Sequence, residues 1–420
     1  MASPVKIAIV GAGARGRGYA NYTKAFPDKA QIVAVADPND HYRELVGNTY
    51  NIPAEKRFKS WEEFVKEPKM ADAVIIGTQD NMHEGPAIAC AKLKYHILLE
   101  KPMAPTPEAC KRIVAAAKEA GVIFAVCHVL RYTAFTVKLK ELLDAGTIGD
   151  IASVQHLEPV GYWHQAHSFV RGNWRNEAES SFMLLAKCCH DLDWLRGIIG
   201  KRCLQVQSFG SLKHFKASEK PAGAADRCVN CPAEIESRCP YSALKIYFRD
   251  RFDKGIKHWP VNVLTPTVTE ENLMDALKNG PYGRCVYSCD NDVVDNQVVN
   301  MLFEDGVTCS MTMTAFNNSC GRRTRIFGTK GYIDADSNII KIFHYASDSW
   351  TEIDTGVLND GGILSGHGGG DGGLMSSFVR AVAENNPAFV KTGCDESLES
   401  HLMVFAAEKS RRNGTVEVVE

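Results

Sequence analysis

Short aliphatic runs alternate with amphipathic stretches through residues 1–127. The runs are Lys6-Ile7-Ala8-Ile9-Val10, Gln31 to Asp37, Ala71 to Thr78, His96 to Lys101 and Val122 to Cys127. Apolar runs without alternation predict strands covered on both faces, as in a parallel sheet. Helix signals lie between them. Ser60 and Glu63 make a capping box around Trp61-Glu62, and Thr106-Pro107 reads as an N-cap and first helical position. Gly121 ends that helix. Repeated strand–helix units predict a doubly wound sheet. After His128 the pattern changes. Ile151 to Leu157, Gln297 to Phe303 and Val307 to Thr314 predict strands of a mostly antiparallel sheet, with a helix over Leu184 to Ile199. Residues 210–290 form a polar, cysteine-bearing insertion with little periodicity. A glycine-rich loop, Asp360 to Gly373, leads into a helix over Leu374 to Glu384. No internal repeat is evident.

At 420 residues the chain exceeds one ordinary core, so two domains are expected, 1–127 and 128–420. A net charge of −2 gives no reason to expect nucleic acid or an anionic membrane as partner. No apolar run has the length of a membrane span, and no signal-peptide pattern precedes the first strand, so a cytoplasmic location is expected.

The first strand runs into Gly11-Ala12-Gly13-Ala14-Arg15-Gly16. Gly11 permits the tight turn, Gly13 lets the backbone approach a pyrophosphate, and Gly16 lets the helix pack on the strand. Free N–H groups at the helix start, from Ala14 onward, suit phosphates. Asp37 closes the second strand about 20 residues on, the spacing of a ribose-binding carboxylate. It favours NAD over NADP, although Arg43 stands near enough in sequence to soften that choice. Glu100-Lys101-Pro102 ends another parallel strand, where ligands of open α/β sheets bind. Lys101 is then placed to exchange a proton with a substrate hydroxyl.

These motifs, with Thr78 to His83, His128 to Tyr132, Leu143 to Gly149 and Phe327-Gly328-Thr329-Lys330-Gly331, resemble the glucose–fructose oxidoreductase, inositol dehydrogenase and rhizopine-catabolism (Gfo/Idh/MocA) family. The resemblance covers most of the chain. It implies an N-terminal Rossmann domain, then an α/β domain built on a large, mostly antiparallel sheet whose outer face forms homodimers or homotetramers. The chemistry implied is hydride transfer between NAD(P) and a ring carbon bearing a hydroxyl, on a sugar or cyclitol. Thr78, His83, Glu100, Lys101 and Pro102 fall in the implied cofactor site, and Arg131 in the substrate site. The family carries Asp four residues before a catalytic His. Here His190 matches the histidine, while Ala186 occupies the aspartate position. His190 is the expected general base, with Lys101 polarising the oxygen and Asp193 orienting the imidazole. Lys187, three residues before His190, shares its helical face and joins the catalytic set.

Tyr162, His164, His167, Arg171, Trp174 and Arg175 offer ring faces and hydrogen-bonding edges that suit a sugar. His367 and Asp371 add a second polar loop. In the insertion, Cys228-x-x-Cys231, Cys239 and Cys285 have the spacing of a structural zinc site, with Cys289 the alternative fourth ligand. Three functions are open: an NAD-dependent oxidoreductase of a sugar, cyclitol or glycoside; an NAD-retaining enzyme that oxidises, eliminates and re-reduces; and a non-catalytic NAD(H) sensor. Retention of Lys101 and His190 argues against the last.

Overall fold

The computed structural model describes residues 3–318, 321–356 and 366–420. Strands β1 (Val5–Val10), β2 (Ala30–Ala36), β3 (Arg57–Phe58), β4 (Ala73–Ile76), β5 (His96–Leu99) and β6 (Phe124–Val126) form a parallel sheet in the order β3-β2-β1-β4-β5-β6. Alternate residues of each strand feed opposite cores. Ile7, Ile9, Val35, Ile75 and Leu98 enter one; Ala8, Val10, Ala34, Val74 and Ile97 enter the other. The expected caps form. Ser60 Oγ accepts from Glu63 N–H, Thr106 Oγ1 accepts from Ala109 N–H, and Gly121 ends its helix at φ 64°.

Strands β7 (Ile151–Pro159), β8 (Cys203–Ser211), β9 (Asn296–Phe303), β10 (Thr308–Thr314), β11 (Arg323–Gly328), β12 (Gly331–Asp336), β13 (Ile339–His344), β14 (Ser349–Asp354) and β15 (Glu417–Val418) make a second sheet. Its order is β14-β13-β12-β11-β7-β10-β9-β8-β15, and only β7 and β10 run parallel. Val154, Val299, Met311, Ile326 and Ile333 point into a core shared with Leu192, Leu195 and Met403. Two late helices tie the halves together. The helix Gly370–Glu384 sets Leu374, Met375 and Phe378 into the core of the first sheet, and the helix Cys394–Asn413 lies between both sheets' helices.

Three expectations need correction. The helix over Leu184 to Ile199 is two helices, Met183–Ala186 and Cys189–Ile199, with a break at Lys187 and Cys188. The insertion is better ordered than its polarity suggested, because Phe215, Tyr241, Tyr247, Tyr282 and Val286 bury into a core of their own. The helix expected from Leu374 starts earlier, at Gly370, and residues 360–365 of the loop before it lie outside the described residues.

Candidate functional site

The site begins at the β1 turn. Gly11 sits at φ 92°, where a side chain would overlap the Gly77 backbone, and a Cβ on Gly16 would overlap the Gly11 carbonyl. These two glycines let the helix Ala14–Ala20 close on β1. A Cβ on Gly13 meets nothing within 4 Å, so the turn is open on the side a pyrophosphate would take. Asp37 is buried beside this turn. Its Oδ2 accepts from Ala12 N–H at 2.6 Å and its Oδ1 from Asn39 N–H at 2.8 Å. A carboxylate has about four acceptor positions, so capacity for ribose hydroxyls remains. Arg43 donates to the Asp37 carbonyl at 2.8 Å and pairs with Asp40. That engagement does not leave it directed at a 2′-phosphate.

Arg15, expected among the cofactor-binding residues, turns its side chain to acidic partners. It donates to Glu100 Oε1 at 2.7 Å, pairs with Asp371 at 2.9 Å and lies over the Tyr19 ring. Burial alone would raise the Glu100 carboxyl, but the Arg15 and Lys101 charges outweigh it and hold it below its ordinary range. His83 is a clamp behind the site. Its ring nitrogens lie 2.8 Å from the Pro102 carbonyl and 3.3 Å from the Thr78 carbonyl. Thr78 Oγ1 is buried without a partner among the described residues. The open turn and this orphaned hydroxyl, both at the carboxyl ends of the strands, fit a dinucleotide.

Lys101 Nζ crosses to the second half of the molecule and donates to the Ala186 carbonyl at 2.7 Å. His190 lies close by, buried, with Nδ1 unpartnered among the described residues. Burial, then the positive charge of Lys101, drives its imidazole well below the usual range, so it is neutral at physiological pH. Its ring is 6.3 Å from His367 and 5.6 Å from His128, which is in turn 5.4 Å from His401. His367 holds Asp371 at 3.1 Å. His164 also belongs here. Burial, then Lys187, His167 and Lys101, depress its imidazole, and its ring packs 5.6 Å from Trp163 and 5.1 Å from Trp259.

Other expected site residues are engaged by protein partners. Lys187, at the helix break, turns to Glu158 at 3.1 Å in a buried cluster with Arg322 and Asp191, instead of sharing a face with His190. Burial by itself would lower its ammonium, but Glu158 outweighs this and holds it above its ordinary range. Asp193 does not orient His190; it accepts from Arg131 at 3.4 Å and Ser400 at 3.2 Å. Arg131 is thereby a tie between segments, lying against Gly197 where no side chain would fit. His167 meets Tyr247 Oη at 2.8 Å, Arg175 pairs with Asp290 at 2.9 Å, and Tyr162 receives Lys245 at 3.4 Å. All three face the insertion. Arg171 is buried there too. Trp174 Nε1 donates to Asp80 Oδ2 at 3.2 Å at the rim of the site.

The expected zinc tetrahedron is not formed. Cys228, Cys231, Cys239 and Cys285 line one small cavity, yet no three His, Cys, Asp or Glu side chains among the described residues are arranged to hold an ion. Cys228 Sγ is drawn aside, to Arg171 Nη2 at 3.5 Å and the Arg284 carbonyl at 3.8 Å.

Two residues escaped the sequence reading. Burial pushes the Asp80 carboxyl up against the opposing charges of His83 and Lys101. Its place at the carboxyl end of β4, between Thr78 and His83, was an available signal. Trp259 had none, since only folding of the insertion brings it to His164.

A family model described as "Oxidoreductase family, NAD-binding Rossmann fold" matches residues 5–128, and one for "Oxidoreductase family, C-terminal alpha/beta domain" matches 140–419. The chain is 30% identical over 200 residues to 2,7-anhydro-N-acetylneuraminate hydratase of Escherichia coli, covering 47% of this chain and 50% of that protein. It is 28% identical over 211 residues to myo-inositol 2-dehydrogenase of Thermotoga maritima, covering 50% and 59%. The chain thus spans little more than half the length of these curated relatives. Among solved structures, an oxidoreductase domain protein from Kribbella flavida has a TM-score of 0.73 at 15% identity, with full coverage of both chains. An Agrobacterium radiobacter oxidoreductase, in complex with NAD+, L-tartaric acid and magnesium, has a TM-score of 0.70 at 15% identity, covering 99% of each. These likenesses agree in the fold. With both of its domains matched, the chain belongs to the Gfo/Idh/MocA family of NAD-binding oxidoreductases.

Proposed function

We propose that the protein is an NAD-dependent oxidoreductase acting on a secondary hydroxyl of a sugar, cyclitol or glycoside. The observation that carries this is the placing of Lys101 and a neutral His190 together beyond the glycine turn. NAD, when bound, supplies the hydride acceptor. Neutral His190 takes the hydroxyl proton, and the Lys101 ammonium donates to the same oxygen as negative charge develops on it. Arg15 and Asp371 draw the second half of the chain over the turn, limiting water. His164, flanked by Trp163 and Trp259, offers an apolar wall for the C–H face of a ring.

A second reading has support in Ala186 and in a relative named as a hydratase. In it NAD stays bound, oxidation is transient, and the net reaction is elimination or hydration. NADH measured against product with a panel of sugars, cyclitols and glycosides tests the choice. Stoichiometric NADH supports the dehydrogenase. Product without NADH accumulation replaces it by the second reading, and no turnover on any of these substrates refutes both.

We further propose that like chains associate through the outer face of the second sheet, which carries Gln155, Ser310 and Thr312. No helix among the described residues is long and apolar enough to cross a membrane.

A further inference from the structure

Arg251 is a cation of the insertion that the chemistry proposed above does not use. It follows Tyr247 and Phe248, both buried in the insertion's own core, and Val261 returns the chain to that core just after Trp259. The loop between is therefore held at both ends. The Arg251 guanidinium lies 4.1 Å from the centre of the Trp163 ring, and its Nη1 donates to the Ile246 carbonyl at 2.7 Å. Stacking on a ring leaves the in-plane N–H groups available, and a guanidinium has several. No other acceptor, and no carboxylate within ion-pair distance, meets this one among the described residues. The adjacent carboxylate, Asp250, is paired with Lys245 at 2.6 Å. Burial draws the Arg251 guanidinium below its ordinary range, and Asp250 does not make up the loss. Trp259 stands beside it. The indole keeps 42% of its surface exposed, and its ring centre is 5.4 Å from Trp163, 5.1 Å from His164 and 5.5 Å from His167. The Lys101 charge reaches His164, so this platform adjoins the end of the site where the hydroxyl is handled.

We propose that Arg251 and Trp259 recognise an acidic sugar, a pyranose whose C–H face lies on Trp259 and whose carboxylate pairs with Arg251. The inference rests on the reading of this site as one for a sugar hydroxyl, and it narrows the substrate class to uronic acids and their glycosides. Indole faces suit the C–H face of a ring, and a planar guanidinium holds a carboxylate through two parallel hydrogen bonds. The carboxylate supplies the counter-charge that the half-buried Arg251 lacks. The same loop carries exposed Lys254 and Lys257 against a single exposed carboxylate, Asp253, so an anion approaches a surface of net positive charge. A ring held by both its face and its acid group is fixed in its turn towards Lys101 and His190. Arg251 thereby decides which hydroxyl is presented.

The test is calorimetric titration of the NAD-loaded full chain with matched pairs: D-glucuronate, D-galacturonate and their methyl glycosides, each against its neutral counterpart. The free acids and the glycosides distinguish the two forms of the ligand. At least one acidic member should bind roughly tenfold or more tightly than its neutral partner. Arg251→Gln should bring that ratio to within about twofold, while Arg251→Lys, a point charge without the fork, should keep part of it. Trp259→Ala should weaken acidic and neutral members alike, by roughly tenfold. Circular dichroism and NAD affinity like those of the parent chain show that each variant is folded. Equal binding of acidic and neutral members overturns the proposal, as does an acidic preference that survives Arg251→Gln or an absence of binding by every acidic member. Binding needs no turnover, so the two readings fail separately. An acidic sugar that binds through Arg251 without being oxidised supports this site and counts against the dehydrogenase. NADH formed from neutral sugars alone supports the dehydrogenase and overturns this site.

Discussion

The Lys101 ammonium donates to the main-chain carbonyl of Ala186 at 2.7 Å. A carbonyl holds the lysine in place without the counter-charge of a carboxylate, which alanine at 186 cannot supply. Glu100 and Asp80, both on the cofactor-binding half of the chain, feel the Lys101 charge. Lys101→Met and His190→Ala should each lower kcat by roughly 10²–10⁴-fold, the range of general acid–base contributions. NAD affinity, measured by fluorescence titration, should stay within a few-fold. Unchanged turnover in both variants would remove them from the chemistry.

Two glycines of one turn should behave differently. Gly16→Ala places a methyl against the Gly11 carbonyl and should destabilise the protein by about 1–3 kcal/mol. Gly13→Ala meets no protein atom, so stability should fall by less than about 1 kcal/mol. NAD binding should nonetheless weaken by roughly tenfold, since the methyl fills the path of the pyrophosphate. Urea denaturation paired with NAD titration separates the two effects. Equal loss of stability in both variants would contradict this account.

Lys187 belongs to a structural cluster. Lys187→Met leaves Glu158 facing an Arg322 that Asp191 also engages and should cost about 3–5 kcal/mol of stability, the usual penalty for breaking a buried ion pair. The fraction that remains folded at low temperature should keep its pH–rate profile. A displaced limb of that profile would restore Lys187 to the catalytic groups.

Stability should fall on mild acidification. Burial, reinforced by nearby positive groups such as Arg131 and Arg171, pushes the imidazoles of His128, His167 and His401 down to about 3. In the unfolded chain a histidine titrates near about 6.5. Between these values the unfolded state binds more protons than the folded one. The contribution is therefore fully present above about pH 6.5 and is lost as pH drops towards about 3, at about 1 kcal/mol per pH unit for each histidine. Urea midpoints measured from neutral to mildly acidic pH should decline together. A flat profile down to about pH 5 would show that these imidazoles accept protons in the folded state.

Much of the cofactor half was legible because its signals are local. A turn that needs φ 92° at Gly11, an aliphatic run ending at Asp37 and a cap at Thr106 are written within a few residues of where they act. The order of motifs also identified His190 and Lys101 as the pair to examine. Lys187 was misread for a definite reason. Spacing of three residues implies a shared face only within an unbroken helix, and the helix breaks at Lys187, which pairs with Glu158 on β7. The partners of Arg131, His167 and Arg175 were equally illegible, since each lies far along the chain, at Asp193, Tyr247 and Asp290.

The sequence alone determined the parallel sheet, the glycine turn with its carboxylate, and the family to which they belong. Periodicity, turn chemistry and motif order are properties of neighbouring residues and survive without coordinates. Tertiary structure decided which polar groups remain available to a ligand. Arg15 is drawn to Asp371 by a helix that begins hundreds of positions later, while His190 keeps an Nδ1 without a partner among the described residues. A charged or polar side chain is satisfied by whatever the fold brings within hydrogen-bonding reach. That competition is settled by long-range packing, which no local pattern records.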